Sequence, residues 1–340
     1  AQAGADGAIM LRPPMEGSGQ PPHREERNAA GFPEALPPSL ALPAAPMSPL
    51  RSDRIPAGEE WLHQLKWDGV RILALCIQGR VRLFSKRMLE KTSIYADVTM
   101  MMEARPELRG RTLLLDGEVV VFDPNLGRPS FPLALQRERM RQRPDGALPA
   151  VYVLFDVLGI EDRNVRRLPY EERHRLLLDL FPDKHPACFV ADIFEDGDQL
   201  WNWVEQHGWE GVVSKKRSSP YQEGKRHQDW FKIKKDLLIE ALTVGYMINN
   251  GRPASVVLTD LEGRYIGKAS IGLDETRRLL LEGWAARYPA PGPPGGPIAA
   301  LRREPIVWMS VPIPCRAAAL EYTPTGQLRH PRIDTLPLLK

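Results

Sequence analysis

A run as apolar as Leu113-Leu114-Leu115-Asp116-Gly117-Glu118-Val119-Val120-Val121-Phe122-Asp123 reads as a buried strand, yet it carries an acid-glycine-acid step at its centre. Burying an unpaired carboxylate costs several kcal/mol, on the order of what a whole domain has in reserve. Glu118 therefore needs a cation, a metal or an open cleft beside it. The alternative is a turn or strand edge at Asp116-Gly117. A second run, Val151 to Leu158 (VYVLFDVL), poses the same problem with Phe155 and Asp156. A chain with two such strands must supply partners from elsewhere in its sequence.

The 340 residues have room for two domains of roughly 150 residues each. Net charge is only +3, but the basic residues cluster at Lys215-Lys216-Arg217, Lys225-Arg226, Lys232 to Lys235 and Arg137 to Arg143. Local basic patches on a mildly basic chain suit a phosphate-rich partner better than a membrane. Cys76, Cys188 and Cys315 have no metal-ligand spacing and read as reduced thiols, which places the chain in the cytoplasm. No signal peptide and no apolar run of about 18 residues is found.

Residues 1–46 are rich in Pro, Ala and Gly, with ten prolines in the first fifty positions, and are expected to form a disordered lead-in. Residues 47–60 approach the folded domain. His63 to Lys66 and Val70 to Phe84 are β-rich, the latter a hairpin turning at Gln78-Gly79 with Ser85-Lys86-Arg87 at its far end. Gln136 to Arg143 continues a helix with a basic face. Pro169 opens a helix through Leu180, and Asp198 to His207 forms another, stopped by Gly208. Glu210 to Lys216 and Trp230 to Lys235 are short strands; in the second, Lys232 and Lys234 share a face and require an anion between them. After Asp236 the texture changes to short strands at 238–248, 255–259, 265–270, 305–311 and 318–322, with one helix near 274–288. That pattern fits a small barrel of the oligonucleotide-binding type.

Four motifs occur in order: Lys66-x-Asp68-Gly69, Asp116-Gly117-Glu118, Glu210-Gly211-Val212-Val213 and Lys232-x-Lys234. In extended chain, Lys66 and Asp68 would point the same way. With Trp67 and Arg71 flanking the first motif, and Tyr221-x-x-Gly224-Lys225-Arg226 leading to Trp230, the set resembles the covalent nucleotidyltransferases. It most resembles the bacterial ATP-dependent DNA ligases of the end-joining type, over roughly residues 47–330.

The resemblance implies an α+β architecture: a nucleotidyltransferase (adenylation) domain with antiparallel sheets over 47–236, then an OB-fold domain over 237–340. It implies that Lys66 attacks the α-phosphate of ATP, forming lysyl-AMP and releasing pyrophosphate. The adenylate then passes to a 5′-phosphate at a nick, and the neighbouring 3′-hydroxyl seals the strand as AMP leaves. A free lysine is neutral in only about one molecule in a thousand near pH 7.4. Lys232, Lys234 and Mg²⁺ are expected to lower the Lys66 pKa and prepare it as the nucleophile. By the same resemblance Phe155 stacks on adenine, Arg71 and Glu118 contact the ribose and nick-side groups, and Lys232 and Lys234 neutralise the α-phosphate. Glu210 and Glu118 hold Mg²⁺. The implied partners are nicked or broken duplex DNA, and DNA-end-binding or polymerase proteins, with the chain itself a monomer.

Three positions depart from the family pattern. Where many relatives have Glu two residues before the lysine, this chain has Gln64, whose carbonyl can still accept from the adenine amino group. The arginine expected after Ser85 is Lys86, with Arg87 next to it. The Gly326-x-Leu328-Arg329-His330-Pro331 run is kept, but the R-x-D-K motif that orients pyrophosphate is replaced by Pro337, Leu338, Leu339 and Lys340. This last change motivates one rival reading, a ligase-like module that binds DNA ends with impaired self-adenylylation. An RNA ligase or a capping guanylyltransferase is another. An NAD-dependent ligase is disfavoured, because no four-cysteine zinc element follows the barrel.

Overall fold

The computed structural model describes residues 35–140, 146–323 and 325–337, and the chain divides into two compact units at Ile233/Lys234. Both are mixed α+β with antiparallel sheets. The first unit holds two sheets. In the larger, the strands Arg80–Ser85, Val70–Ile77, Leu113–Asp123 and Ala150–Ile160 lie side by side, all antiparallel. In the smaller, Trp61–Lys66 pairs antiparallel with Gly211–Lys216, which neighbours Trp230–Lys234.

The chain crosses from the small sheet to the large one at Trp67-Asp68-Gly69. The first strand ends at Lys66 and the next begins at Val70, so Lys66 and Asp68 are not two positions of one strand. Gly69 makes the crossing possible, since a Cβ there would sit 2.2 Å from the Val119 carbonyl oxygen. The acid-glycine-acid step is neither a turn nor an edge: Leu113–Asp123 is one continuous strand with neighbours on both sides. A register shift against Ala150–Ile160 falls between Asp116 and Gly117. A Cβ at Gly117 would lie 2.4 Å from the Val153 carbonyl oxygen, so only glycine lets the strands approach this closely.

Three expectations are corrected. Residues 35–46 are ordered rather than part of a disordered lead-in: Pro38–Leu40 forms a turn of 3₁₀ helix, and Leu40, 1% exposed, packs with Met47, Tyr221 and Trp230. Leu36 and Leu42 join that cluster, so the segment contributes apolar surface despite its prolines. Residues 1–34 lie outside the described residues. The helix over the basic run is Phe131–Arg139, and Arg137 faces inward onto Asp97 at 2.6 Å rather than forming a basic face; residues 141–145 lie outside the described residues.

In the second unit, Leu237–Asn249, Arg252–Thr259 and Tyr265–Ala269 form a meander, followed by the helix Glu275–Arg287. The two strands expected at 305–311 and 318–322 are largely one, Ile306–Ala319, paired along Leu237–Asn249. Its register breaks opposite Thr243/Gly245, and Pro312 falls in the displaced stretch, where a missing N–H costs no ladder bond. The curled sheet with one α-helix among the described residues has the make-up of an oligonucleotide-binding fold. Leu338, Leu339 and Lys340 lie outside the described residues. No helix among the described residues is long and apolar enough to cross a membrane.

Candidate active site

The antiparallel pairing of Gly211 with Lys66 sets Glu210 beside the end of the Trp61–Lys66 strand. The Lys66 Nζ donates to Glu210 Oε1 at 2.7 Å, with both side chains mostly buried. Burial alone would pull the Lys66 pKa down, but Glu210, Glu118 and Asp68 outweigh it and hold the ammonium above the ordinary lysine value. The expected depression by Lys232 and Lys234 is therefore corrected: carboxylates, not cations, set the charge state of Lys66. Burial also pushes the Glu118 carboxyl up to about 8, against the pull of Lys66 and Arg71, with Glu210 and Asp68 adding to the rise. Three crowded acids around one lysine form a site that a further cation would relieve. Among the described residues no three His, Cys, Asp or Glu side chains converge as a metal group. Two hard carboxylates fit Mg²⁺, which commonly completes its shell with water and substrate phosphates.

Arg71, expected at the ribose, is held by Asp116 through two hydrogen bonds of 2.6 and 2.7 Å, and donates to the Met47 carbonyl. Tyr221 Oη donates to the same carboxylate at 2.6 Å. Asp116 is thus the acid whose burial is compensated within the fold, and Glu118 the one left facing Lys66. The Arg71 guanidinium also lies 4.7 Å from the centre of the Phe155 ring.

A cationic side lies nearby. Lys86 is drawn below the ordinary lysine value by desolvation, then by Arg71, Lys225 and Lys232. Lys86 and Arg87 are both exposed, and the Arg87 backbone N–H donates to Ser85 Oγ. Lys234, counted with the second unit, donates to Glu321 of that unit at 2.7 Å.

Gln64 is 2% exposed; its Oε1 accepts from Tyr170 Oη at 3.1 Å and its Nε2 donates to the Ala191 carbonyl at 3.4 Å. Sequence reading missed Tyr170, Arg173 and Lys215. Arg173 binds Asp156 through bonds of 2.8 and 3.0 Å, with neither side chain exposed. Lys215 sits among Phe155, Tyr170 and Trp230, and burial pulls it down to about 7; Arg71 and Arg173 act in the same direction and Asp156 and Asp116 oppose them. The missed signal was available: a buried aspartate in VYVLFDVL demands a cation, and Tyr170, Arg173, His174 and Leu177 form one face of the helix Tyr170–Leu180.

The family model for the ATP dependent DNA ligase domain matches residues 47–234, more than half of the chain. The chain belongs to this family. Among its ligase relatives, the multifunctional non-homologous end joining protein LigD of Mycobacterium bovis is 29% identical over 279 residues, covering 79% of this chain and 35% of that protein. The bifunctional LigD of Bacillus subtilis is 30% identical over 255 residues, covering 69% of this chain and 41% of that protein. The chain thus spans well under half the length of these curated relatives. A solved mycobacterial DNA ligase D, complexed with ATP and MES, is similar at a TM-score of 0.52 and 28% identity, over 87% of this chain and 96% of that one. The ligase-domain fold accounts for the two-unit, antiparallel architecture.

Proposed function

We propose that this chain seals 5′-phosphate/3′-hydroxyl breaks in duplex DNA with ATP, in repair or end joining, as the names of its relatives suggest. The observation that carries the reading is Lys66 at the crossover of two sheets, held between Glu210 and Glu118 inside the ligase-family match. The adenylation domain is taken as 47–236 and the OB-fold domain as 237–340.

In the first step a bond forms between Lys66 Nζ and the α-phosphorus of ATP, the bond to the bridging oxygen breaks, and pyrophosphate leaves. Lys66 must first lose a proton, and Glu210 Oε1 at 2.7 Å is the nearest acceptor shown. The adenylate then moves to the 5′-phosphate, regenerating the amine, and attack by the 3′-hydroxyl expels AMP. Glu118 and Glu210 would hold Mg²⁺, which supplies charge neutralisation at the phosphates. Lys86, Lys232 and Lys234 would face the phosphates, Phe155 would stack on the base, and Gln64 would read its edge. Arg71, held by Asp116, would contact the ribose from the Phe155 side of the pocket.

The test is incubation with α-labelled ATP, and separately GTP, followed by a denaturing gel. An acid-labile adduct from ATP that chases onto nicked DNA supports the reading, and an adduct from GTP alone would replace it with capping chemistry. Because carboxylates hold Lys66 protonated, adduct formation should rise with pH through the alkaline range. Glu210→Gln removes the strongest of those carboxylates, so its pH–rate profile should shift to lower pH as its maximal rate falls. A profile that stays in place would remove Glu210 from control of the nucleophile.

A second reading, an end-binding module slow at self-adenylylation, is favoured by Pro337, which stands where relatives carry an arginine that orients pyrophosphate. A nick already bearing a 5′-adenylate bypasses that step. Losing one oriented charged donor costs about 3 kcal/mol, so such nicks should be sealed roughly a hundredfold faster than plain nicks with ATP. Equal rates would dismiss this reading.

A further inference from the structure

The buried polar chain behind the small sheet bears on which nucleotide the site accepts. Tyr170 Oη lies 3.1 Å from Gln64 Oε1, 2.9 Å from the Phe155 carbonyl and 3.3 Å from Lys215 Nζ. Lys215 is 3% exposed, with its ammonium 4.4, 4.6 and 4.2 Å from the ring centres of Phe155, Tyr170 and Trp230. Such a cage favours a cation over the ring faces and leaves the lysine little freedom to turn away. The ammonium can only donate, so it occupies a lone pair of the Tyr170 oxygen and leaves the hydroxyl proton for an acceptor. Gln64 Oε1 is one of the two acceptors within reach. On the other side of the amide, Nε2 donates to the Ala191 carbonyl, which also receives His174 Nε2 at 2.9 Å.

An amide differs from a carboxylate in having two unlike ends. A glutamate at this position would be an acceptor in either orientation; Gln64 is an acceptor or a donor according to how it is turned. With the amide reversed, Oε1 would face the Ala191 carbonyl oxygen, a repulsive pairing. Tyr170 reinforces the same choice when its proton is on the Gln64 side, since the bond from Lys215 leaves its oxygen one lone pair fewer with which to accept from Nε2.

We propose that Tyr170, anchored by Lys215, together with the Ala191 carbonyl, fixes the orientation of the Gln64 amide and thereby makes the site select a 6-aminopurine over a 6-oxopurine nucleotide. This rests on the nucleotide-binding reading given above. Tyr170 and Lys215 are positioning residues: they act through Gln64. The selecting element in this chain is a hydrogen-bond relay rather than a charge.

The experiment compares equilibrium binding of ATP and inosine triphosphate by calorimetry at pH 6.5, without divalent metal so that no adduct forms. That pH lies below the value of about 7 to which burial brings Lys215, keeping its ammonium form. Tyr170→Phe keeps the ring and removes the hydroxyl, and should lower the ATP:ITP preference about tenfold. Lys215→Met, which keeps the cage filled, should lower it less. Gln64→Glu, an acceptor either way round, should restore the preference in the Tyr170→Phe background. General damage to the pocket would weaken both nucleotides equally and would not be rescued by Gln64→Glu. A preference within twofold of wild type in Tyr170→Phe, or failure of that rescue, overturns the proposal. Selective ATP binding by a chain that never forms the lysyl adduct would overturn the ligase reading and leave this one standing. Adduct formation with an unmoved preference would do the reverse, and a chain that binds neither nucleotide overturns both.

Discussion

Lys66→Ala is expected to abolish the covalent adenylate, with labelling from α-labelled ATP falling on the order of 10⁶-fold, the scale on which loss of a covalent nucleophile acts. The substitution also leaves Glu210 and Glu118 without the cation between them, so loss of labelling alone does not separate chemistry from folding. Lys66→Arg makes the separation. A guanidinium keeps the positive charge against both carboxylates, but it stays protonated at any accessible pH and offers no lone pair. The arginine variant should therefore fold like the wild type, show an unaltered thermal transition, and still fail to label. Both variants should retain sealing of a nick that already carries a 5′-adenylate, because there the 3′-hydroxyl attacks the 5′-phosphate and expels AMP without the lysine amine. Labelling of either variant at wild-type level would mean that another nucleophile forms the adduct.

The strands of the first unit were legible because their apolar runs are long and punctuated by glycine: Val70–Ile77 and Arg80–Ser85 turn at Gln78-Gly79 as the pattern implies. What the pattern does not encode is which sheet each strand joins. Trp61–Lys66 and Val70–Ile77 are separated by only three residues yet lie in different sheets, a consequence of a backbone approach at Gly69 that has no signature beyond the glycine itself. The order of the chemistry-bearing residues was readable, and their surroundings were not. Glu210 lies 144 residues from Lys66 in sequence, and only the pairing of Gly211 with Lys66 brings it to the ammonium. Counting nearby lysines in the sequence suggested a depressed pKa for Lys66; three-dimensional neighbours reverse the sign. Arg71 shows the same limit: its place beside the first motif does not reveal that it is held by Asp116, 45 residues away on the neighbouring strand. In Leu36, Leu40 and Leu42, spacing among prolines hid a short apolar stripe that covers Tyr221 and Trp230.

Arg173→Met should destabilise the first unit by about 3–5 kcal/mol, because it leaves the fully buried Asp156 without its cation. The pair is wholly buried, and Arg173 does more than neutralise: its Nη1 also donates to the Leu168 carbonyl at 2.5 Å and the Ser219 carbonyl at 2.7 Å. Methionine fills much of the volume but satisfies none of these acceptors. The loss should appear as a urea midpoint lowered by roughly 1 M or more when tryptophan emission of the first unit is followed. Trp230 is a suitable reporter, since it is buried against Tyr170 and Tyr221, whose rings both lie within reach of the Arg173 guanidinium. Removing the partner charge as well, with Asp156→Asn, should recover part of the loss, because an amide left alone in the core costs less than a carboxylate. The two substitutions should therefore be strongly non-additive, the double variant being more stable than Arg173→Met alone. If the double variant is less stable by the sum of the two single losses, the cost lies in the lost carbonyl contacts and packing, and the Asp156 charge is accommodated by other groups. Because Asp156 follows Phe155 in the strand, the same variant should also loosen the ring that faces Arg71 and Lys215, and ATP binding should weaken at urea concentrations well below the unfolding midpoint.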